Sequence, residues 1–151
     1  KIYDWLAYAY EVKGDIYLDQ EKYKWALYWY DQSNMLFKHQ IEDDRIKIQL
    51  MNGMAKVYFG LEKDSLSLNY AKKGLTLSKK IKSIQGQIDC SETLYKVYKK
   101  NGEDAEALAY LETFKTLSDR SQPGSTGPTE KLYLFLRDHF TYPKYHHFCD
   151  T

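Results

Sequence analysis

The first 122 residues of this 151-residue chain contain no proline; Pro123, Pro128 and Pro143 all fall in the last 29. Proline is the residue that most strongly breaks a helix interior, so nothing in the body forbids continuous helix. Cysteine is almost as scarce. Cys90 and Cys149 are too few for a disulfide framework, and they leave the redox compartment open. Histidine in the body is limited to His39, which leaves little material for general acid–base work near neutral pH. No uncharged run exceeds about nine residues, whereas a membrane-spanning helix needs roughly twenty apolar ones. Neither sign of charge prevails: 22 basic and 21 acidic side chains give a net charge of +1. That balance argues against nucleic acid, whose binders carry a basic surface or stripe. Dinucleotide and phosphate-loop glycine patterns, the nucleophile elbow and the zinc-binding HExxH motif are all missing. The expectation is a protein that is not an enzyme and uses no cofactor. Lys1 opens the chain with neither Met nor a signal-peptide pattern, as a mature chain or excised fragment would.

What is present is ordinary globular composition, 43% hydrophobic and 28% charged, with a length that suits one domain. Aromatic residues are plentiful, and ten of them fall within residues 1–30. Tyr8, Tyr10, Trp25, Tyr28, Trp29 and Tyr30 cannot all face one core. Most should be packing; the surplus suits a dimer surface or a neighbouring segment.

Three segments of the body align on a shared tyrosine: Gly14-Asp-Ile-Tyr17, Ala55-Lys-Val-Tyr58 and Tyr95-Lys-Val-Tyr98. The tyrosines are 41 and then 40 residues apart. A turn-like stretch follows each, at Glu21-Lys22, Glu62-Lys63-Asp64 and Asn101-Gly102-Glu103. Beyond it a small residue recurs at the same period: Ala26, Ser67, Ala107. Small residues on facing helices let two backbones approach, and a tyrosine one turn on fills the wedge between them. Apolar positions at helical spacing predict six helices, at about 2–19, 22–39, 43–60, 64–79, 82–100 and 104–119. Asp43-Asp44 and Ser83 read as helix starts, and Gly102 suits a turn.

The pattern resembles the tetratricopeptide repeat, carried most fully by Gly14-Asp-Ile-Tyr17 with Tyr23, Ala26 and Tyr30. The resemblance implies an all-α, right-handed helical-repeat solenoid of three helix pairs over residues 1–120, plus a C-terminal helix. The copies span about 7–40, 43–80 and 82–120. A period of 40–41 is longer than the family's usual 34, implying longer helices. Lys13 and Tyr95 depart from the pattern, standing where a large apolar and a small residue are usual. Leu68-Asn-Tyr-Ala-Lys-Lys-Gly-Leu75 and Leu94-Tyr-Lys-Val-Tyr-Lys-Lys-Asn-Gly102 are similar to the long-repeat arrays of bacterial sensor histidine kinases and related regulators. That likeness implies a protein- or peptide-binding input or regulatory region. It also implies an extracytoplasmic part of a membrane sensor; without it the expected place is the cytoplasm.

In such arrays the first helix of each pair lines a concave surface. The resemblance assigns to it Tyr8, Glu11, Val12, Asp15 and Leu18, then Asn52, Lys56 and Phe59, then Glu92, Lys96, Lys99 and Lys100. The surface would be acidic at one end and basic at the other, suited to a peptide of mixed charge. Glu11, Asp15 and Asp89 stand in the way of the family's carboxylate-gripping, chaperone-tail mode.

Ser121-Gln-Pro-Gly-Ser-Thr-Gly-Pro128 is rich in helix breakers and reads as a linker over 121–129. Within it Gly124-Ser-Thr-Gly127 has the composition of an engineered joint, which leaves the native origin of the tail open. Beyond it, 130–151 holds an amphipathic stretch with Leu132, Phe135, Leu136 and Phe140 on one face. That stretch can cap the array, or dock into a groove of its own or a neighbouring copy, so self-association through the tail is the alternative function. His139, His146, His147 and Cys149 lack metal-ligand spacing, and no metal is expected there. Cys90 reads as a buried small residue, with a Cys90–Cys149 pairing left open.

Overall fold

Local signals decide where each helix begins and ends. The computed structural model describes residues 2–39 and 42–121, and among them there are six α-helices and no strand. They are α1 (Ile2–Asp19), α2 (Tyr23–Leu36), α3 (Asp44–Gly60), α4 (Asp64–Lys80), α5 (Ile84–Lys100) and α6 (Asp104–Ser121). The expected boundaries lie close to these. The largest difference is at the end of α2, where Phe37–His39 tightens into a 3₁₀ turn. Asp43 caps α3 by accepting from the Arg45 amide at 2.9 Å, and Ser83 caps α5 by accepting from the Gly86 amide at 3.1 Å.

Four of the connections share one backbone design. The amide of Lys22 donates to the Tyr17 carbonyl at 2.9 Å, and that of Glu21 to the Leu18 carbonyl at 2.9 Å. The same two bonds recur as Lys63 to Tyr58 with Glu62 to Phe59, and as Glu103 to Tyr98 with Gly102 to Lys99. They recur once more between α4 and α5, as Ser83 to Ser78 with Lys82 to Lys79. This bond pair ends a helix by turning one residue left-handed. Glu21, Glu62, Lys82 and Gly102 hold that place, at φ 56°, 60°, 57° and 75°. The tyrosines on which the segments align therefore supply the carbonyl that closes each helix.

Each helix packs against the next, and α1, α3 and α5 also touch one another in that order. Within a pair the ring stacking follows the aligned tyrosines: Tyr17 on Trp25, Tyr58 on Tyr70 and Tyr98 on Tyr110, with the last two centroid distances at 5.5 and 5.6 Å. Ser67 Oγ donates to the Ala55 carbonyl at 2.7 Å, so there the small residues do bring two backbones together. At Gly14 the space is taken instead by the ring of Tyr30. The largest buried cluster joins Ile48, Leu75, Leu94, Tyr95 and Leu111, spanning α3 to α6. A second gathers Tyr30, Leu50, Met54 and Val57, with Leu18 and Tyr70 against it. Lys13 is accommodated by laying its ammonium 3.9 Å from the centre of the Trp29 ring.

No described helix is long and apolar enough to cross a membrane. The expected linker, the amphipathic stretch with Leu132, Phe135, Leu136 and Phe140, the histidine cluster and Cys149 lie outside the described residues. Cys90 is a free, buried thiol, raised to about 12 by burial first and by the nearby Asp89 second, so it stays protonated and inert.

Candidate functional site

One helical face of α1 carries Tyr8, Glu11, Asp15 and Leu18 at steps of three and four residues, so all four look toward the same neighbours. Their surroundings differ with depth. Leu18 packs into the second core cluster. Asp15 accepts a short hydrogen bond from the hydroxyl of Tyr30, which reaches it from α2. Burial above all, then this bond to Asp15, pushes the Tyr30 phenol far up, so it remains a donor at any physiological pH.

Glu11 lies just above Asp15 and is only 4% exposed. Among the described residues it has neither an ion-pair partner nor a hydrogen-bond donor. Its polar neighbour is Asp15, another acid. Burial, the charge of Asp15 and a proton-sharing contact with it raise the Glu11 carboxyl to about 8, in that order of size. At neutral pH Glu11 therefore holds a proton, a state that costs less than an unpaired buried charge.

Glu11 forms the floor of a cleft of about 630 Å³ between α1 and α3. Trp5 and Tyr8 form the α1 wall, and Arg45, Ile46 and Gln49 form the α3 wall. The mouth is acidic. Asp4 and Asp43 line it, and a neighbouring recess shares both of them and adds Glu42 and Asp44. Arg45 is committed to Asp43, its Nε and Nη2 each 3.2 Å from a carboxylate oxygen, and it holds Asp43 below the usual carboxylate range. Lys47 leans on Asp44 at 3.4 Å.

The other end of the row of first helices is basic. Asn52 on α3 is buried, and its Oδ1 accepts from Thr93 Oγ1 of α5 at 2.7 Å. It ties two helices together and does not face solvent. Lys56 and Lys96 lie one turn further on and are exposed. Lys96 pairs with Glu92 at 3.1 Å. Lys99 is half-buried with its ammonium over Tyr95, and Lys100 covers half-buried Phe59 while reaching Asp64 at 3.4 Å. Tyr8 and Glu11 thus share one cleft, Lys56, Lys96 and Lys99 belong to a separate basic surface, Asn52 lies inside, and Leu18 is half-buried against the core.

Several residues of this site are not marked by the aligned segments. Trp5 precedes the first of them, and Arg45, Ile46 and Gln49 lie in the opening turns of α3. The helix-start signal at Asp43-Asp44 was readable; that it stands opposite Tyr8 is decided by how α1 and α3 cross. Among the described residues no group of three His, Cys, Asp or Glu side chains could hold a metal ion. Comparisons with protein-family models, with curated proteins and with solved structures return no match.

Proposed function

We propose that this chain is a non-catalytic scaffold that binds a protein or peptide along the row α1–α3–α5, within a tetratricopeptide-like, right-handed array of three helix pairs. The observation that carries this reading is the open 630 Å³ cleft at the acidic end of a row whose other end exposes Lys56 and Lys96. A surface split by charge in this way fixes the direction in which an extended partner lies. By its likeness to long-repeat arrays, the chain serves as the input or regulatory region of a bacterial signalling protein.

The test is affinity capture with the full chain and with a Lys56→Glu/Lys96→Glu variant as parallel baits, read by mass spectrometry. A partner retained by the first bait and lost from the second supports the reading. Equal recovery on both baits overturns the role of the basic surface.

A second reading is self-association, favoured by the exposed apolar residues at the N-terminal end: Ile2, Trp5, Trp25 and Met35 are 78, 74, 59 and 57% exposed. Sedimentation of the wild type against Trp25→Glu distinguishes it, since only an assembly interface makes mass depend on concentration and on that side chain.

A further inference from the structure

The buried polar residues of the first helices are not equally satisfied. Asn52 of α3 and Thr93 of α5 satisfy each other at 2.7 Å. Glu11 is the residue of α1 that corresponds to Asn52, and where α5 offers Thr93 to Asn52, the corresponding residue of α3 is Gly53, which has no side-chain donor to offer Glu11. Glu11 is 4% exposed, opens onto a cleft and shares its proton with Asp15, so once that proton leaves, its charge meets no cation among the described residues.

The groups around it narrow the chemistry of that partner. Asp15 accepts from Tyr30 and shares a proton with Glu11, so it brings a second acid and no cation. Among the described residues Arg45 is the one cation lining the cleft, and it is engaged by Asp43. Asp4 and Asp43 add negative charge at the mouth, which repels an anion. Trp5 and Tyr8 stand on the wall at 74 and 50% exposure, presenting aromatic faces that attract a cation. A metal ion is not the match, because among the described residues no group of three His, Cys, Asp or Glu side chains could hold one. A long alkyl stem ending in a cation matches both the aromatic wall and the acidic floor.

Resting on the peptide-binding reading above, we infer that the α1–α3 cleft takes a lysine or arginine side chain of a basic partner peptide, its cation paired with Glu11 between Trp5 and Tyr8. Binding displaces the proton that Glu11 holds in the free protein. The titratable and charged groups facing Glu11 among the described residues are Asp4 and Asp15 from α1, Tyr30 from α2, and Asp43 with Arg45 from α3. With Glu11 raised to about 8, affinity for a cation rises with pH, by about tenfold from pH 7 to pH 9.

The experiment is fluorescence anisotropy on the full chain with two fluorescein-labelled octapeptides, one alternating lysine and alanine, the other glutamate and alanine. The lysine peptide is expected to bind more tightly at pH 9 than at pH 7, and the glutamate peptide to be excluded from the cleft. Glu11→Gln should weaken the lysine peptide at least about fivefold at pH 9 and flatten its pH profile. Trp5→Ala, at an exposed site that leaves the core intact, should weaken it about threefold. Circular dichroism verifies that both variants keep the wild-type helix content. Unchanged affinity in Glu11→Gln, a flat profile in the wild type, or no binding of the lysine peptide at about 1 mM overturns the inference. Should the glutamate peptide alone bind, and be lost from Lys56→Glu/Lys96→Glu, the scaffold reading stands and this assignment falls.

Discussion

Tyr30 lies so close to Gly53 that a Cβ on the glycine would stand 2.6 Å from the ring carbon bearing the hydroxyl. The ring is fully buried between α1 and α3, with Gly14 on its other side. Glycine at these two places is thus a matter of room, not of backbone conformation. Gly53→Ala gains up to about 1 kcal/mol of helix propensity but forces the ring aside, which costs about 1–3 kcal/mol. The net expectation is a loss of stability in urea denaturation. That loss should be smaller when Tyr30 is already Leu, because the two changes share one space.

Left-handed residues at the four like turns predict the opposite sign. Glu62 holds φ 60° with a full side chain, a conformation that costs about 1 kcal/mol relative to glycine. Glu62→Gly should raise the denaturation midpoint, as should Lys82→Gly. Gly102→Ala should lower it although nothing lies within 4 Å of the new methyl group, since the penalty there is torsional.

The Asn52–Thr93 bond makes a third case. Thr93→Val keeps the shape and leaves the buried Asn52 oxygen without its donor, a cost of about 1–2 kcal/mol. A double-mutant cycle with Asn52→Leu should recover part of that loss, because both polar partners are then gone. Additive effects would mean that the bond does not couple α3 to α5.

Glu11 makes stability depend on pH. Its folded carboxyl is raised to about 8, so between about pH 4.5 and 8 the folded protein keeps a proton that the unfolded chain has released. Stability from this group is intact below that window and falls as pH rises through it. Glu11→Gln removes the penalty. Its advantage over wild type in thermal unfolding should be near zero at pH 4 and grow steadily as pH rises to 8.5. A constant difference across that range would show that Glu11 does not titrate in the window.

Local chemistry alone determined much of the helical framework. The absence of proline to residue 122, apolar spacing, the caps at Asp43 and Ser83 and the turn residues near 21, 62 and 102 act within a few residues of themselves. The tyrosine period was legible for the same reason, since each aligned tyrosine closes its own helix. Which aromatics are interior was not legible. Tyr30 is wholly buried while Trp25 and Tyr28, of equal apolar promise, are 59 and 49% exposed. Only the crossing of α1 over α3 selects among them, because burial depends on what a neighbouring helix brings opposite. Packing of α3 on α5 paired Asn52 with Thr93, and packing of α1 on α3 left Glu11 beside Asp15 on the floor of a cleft. One residue was read as part of a groove and is a tie between helices; the other has become the acid of a candidate site. Charge and size were written in the chain, but whether a polar group finds its partner was settled by tertiary packing.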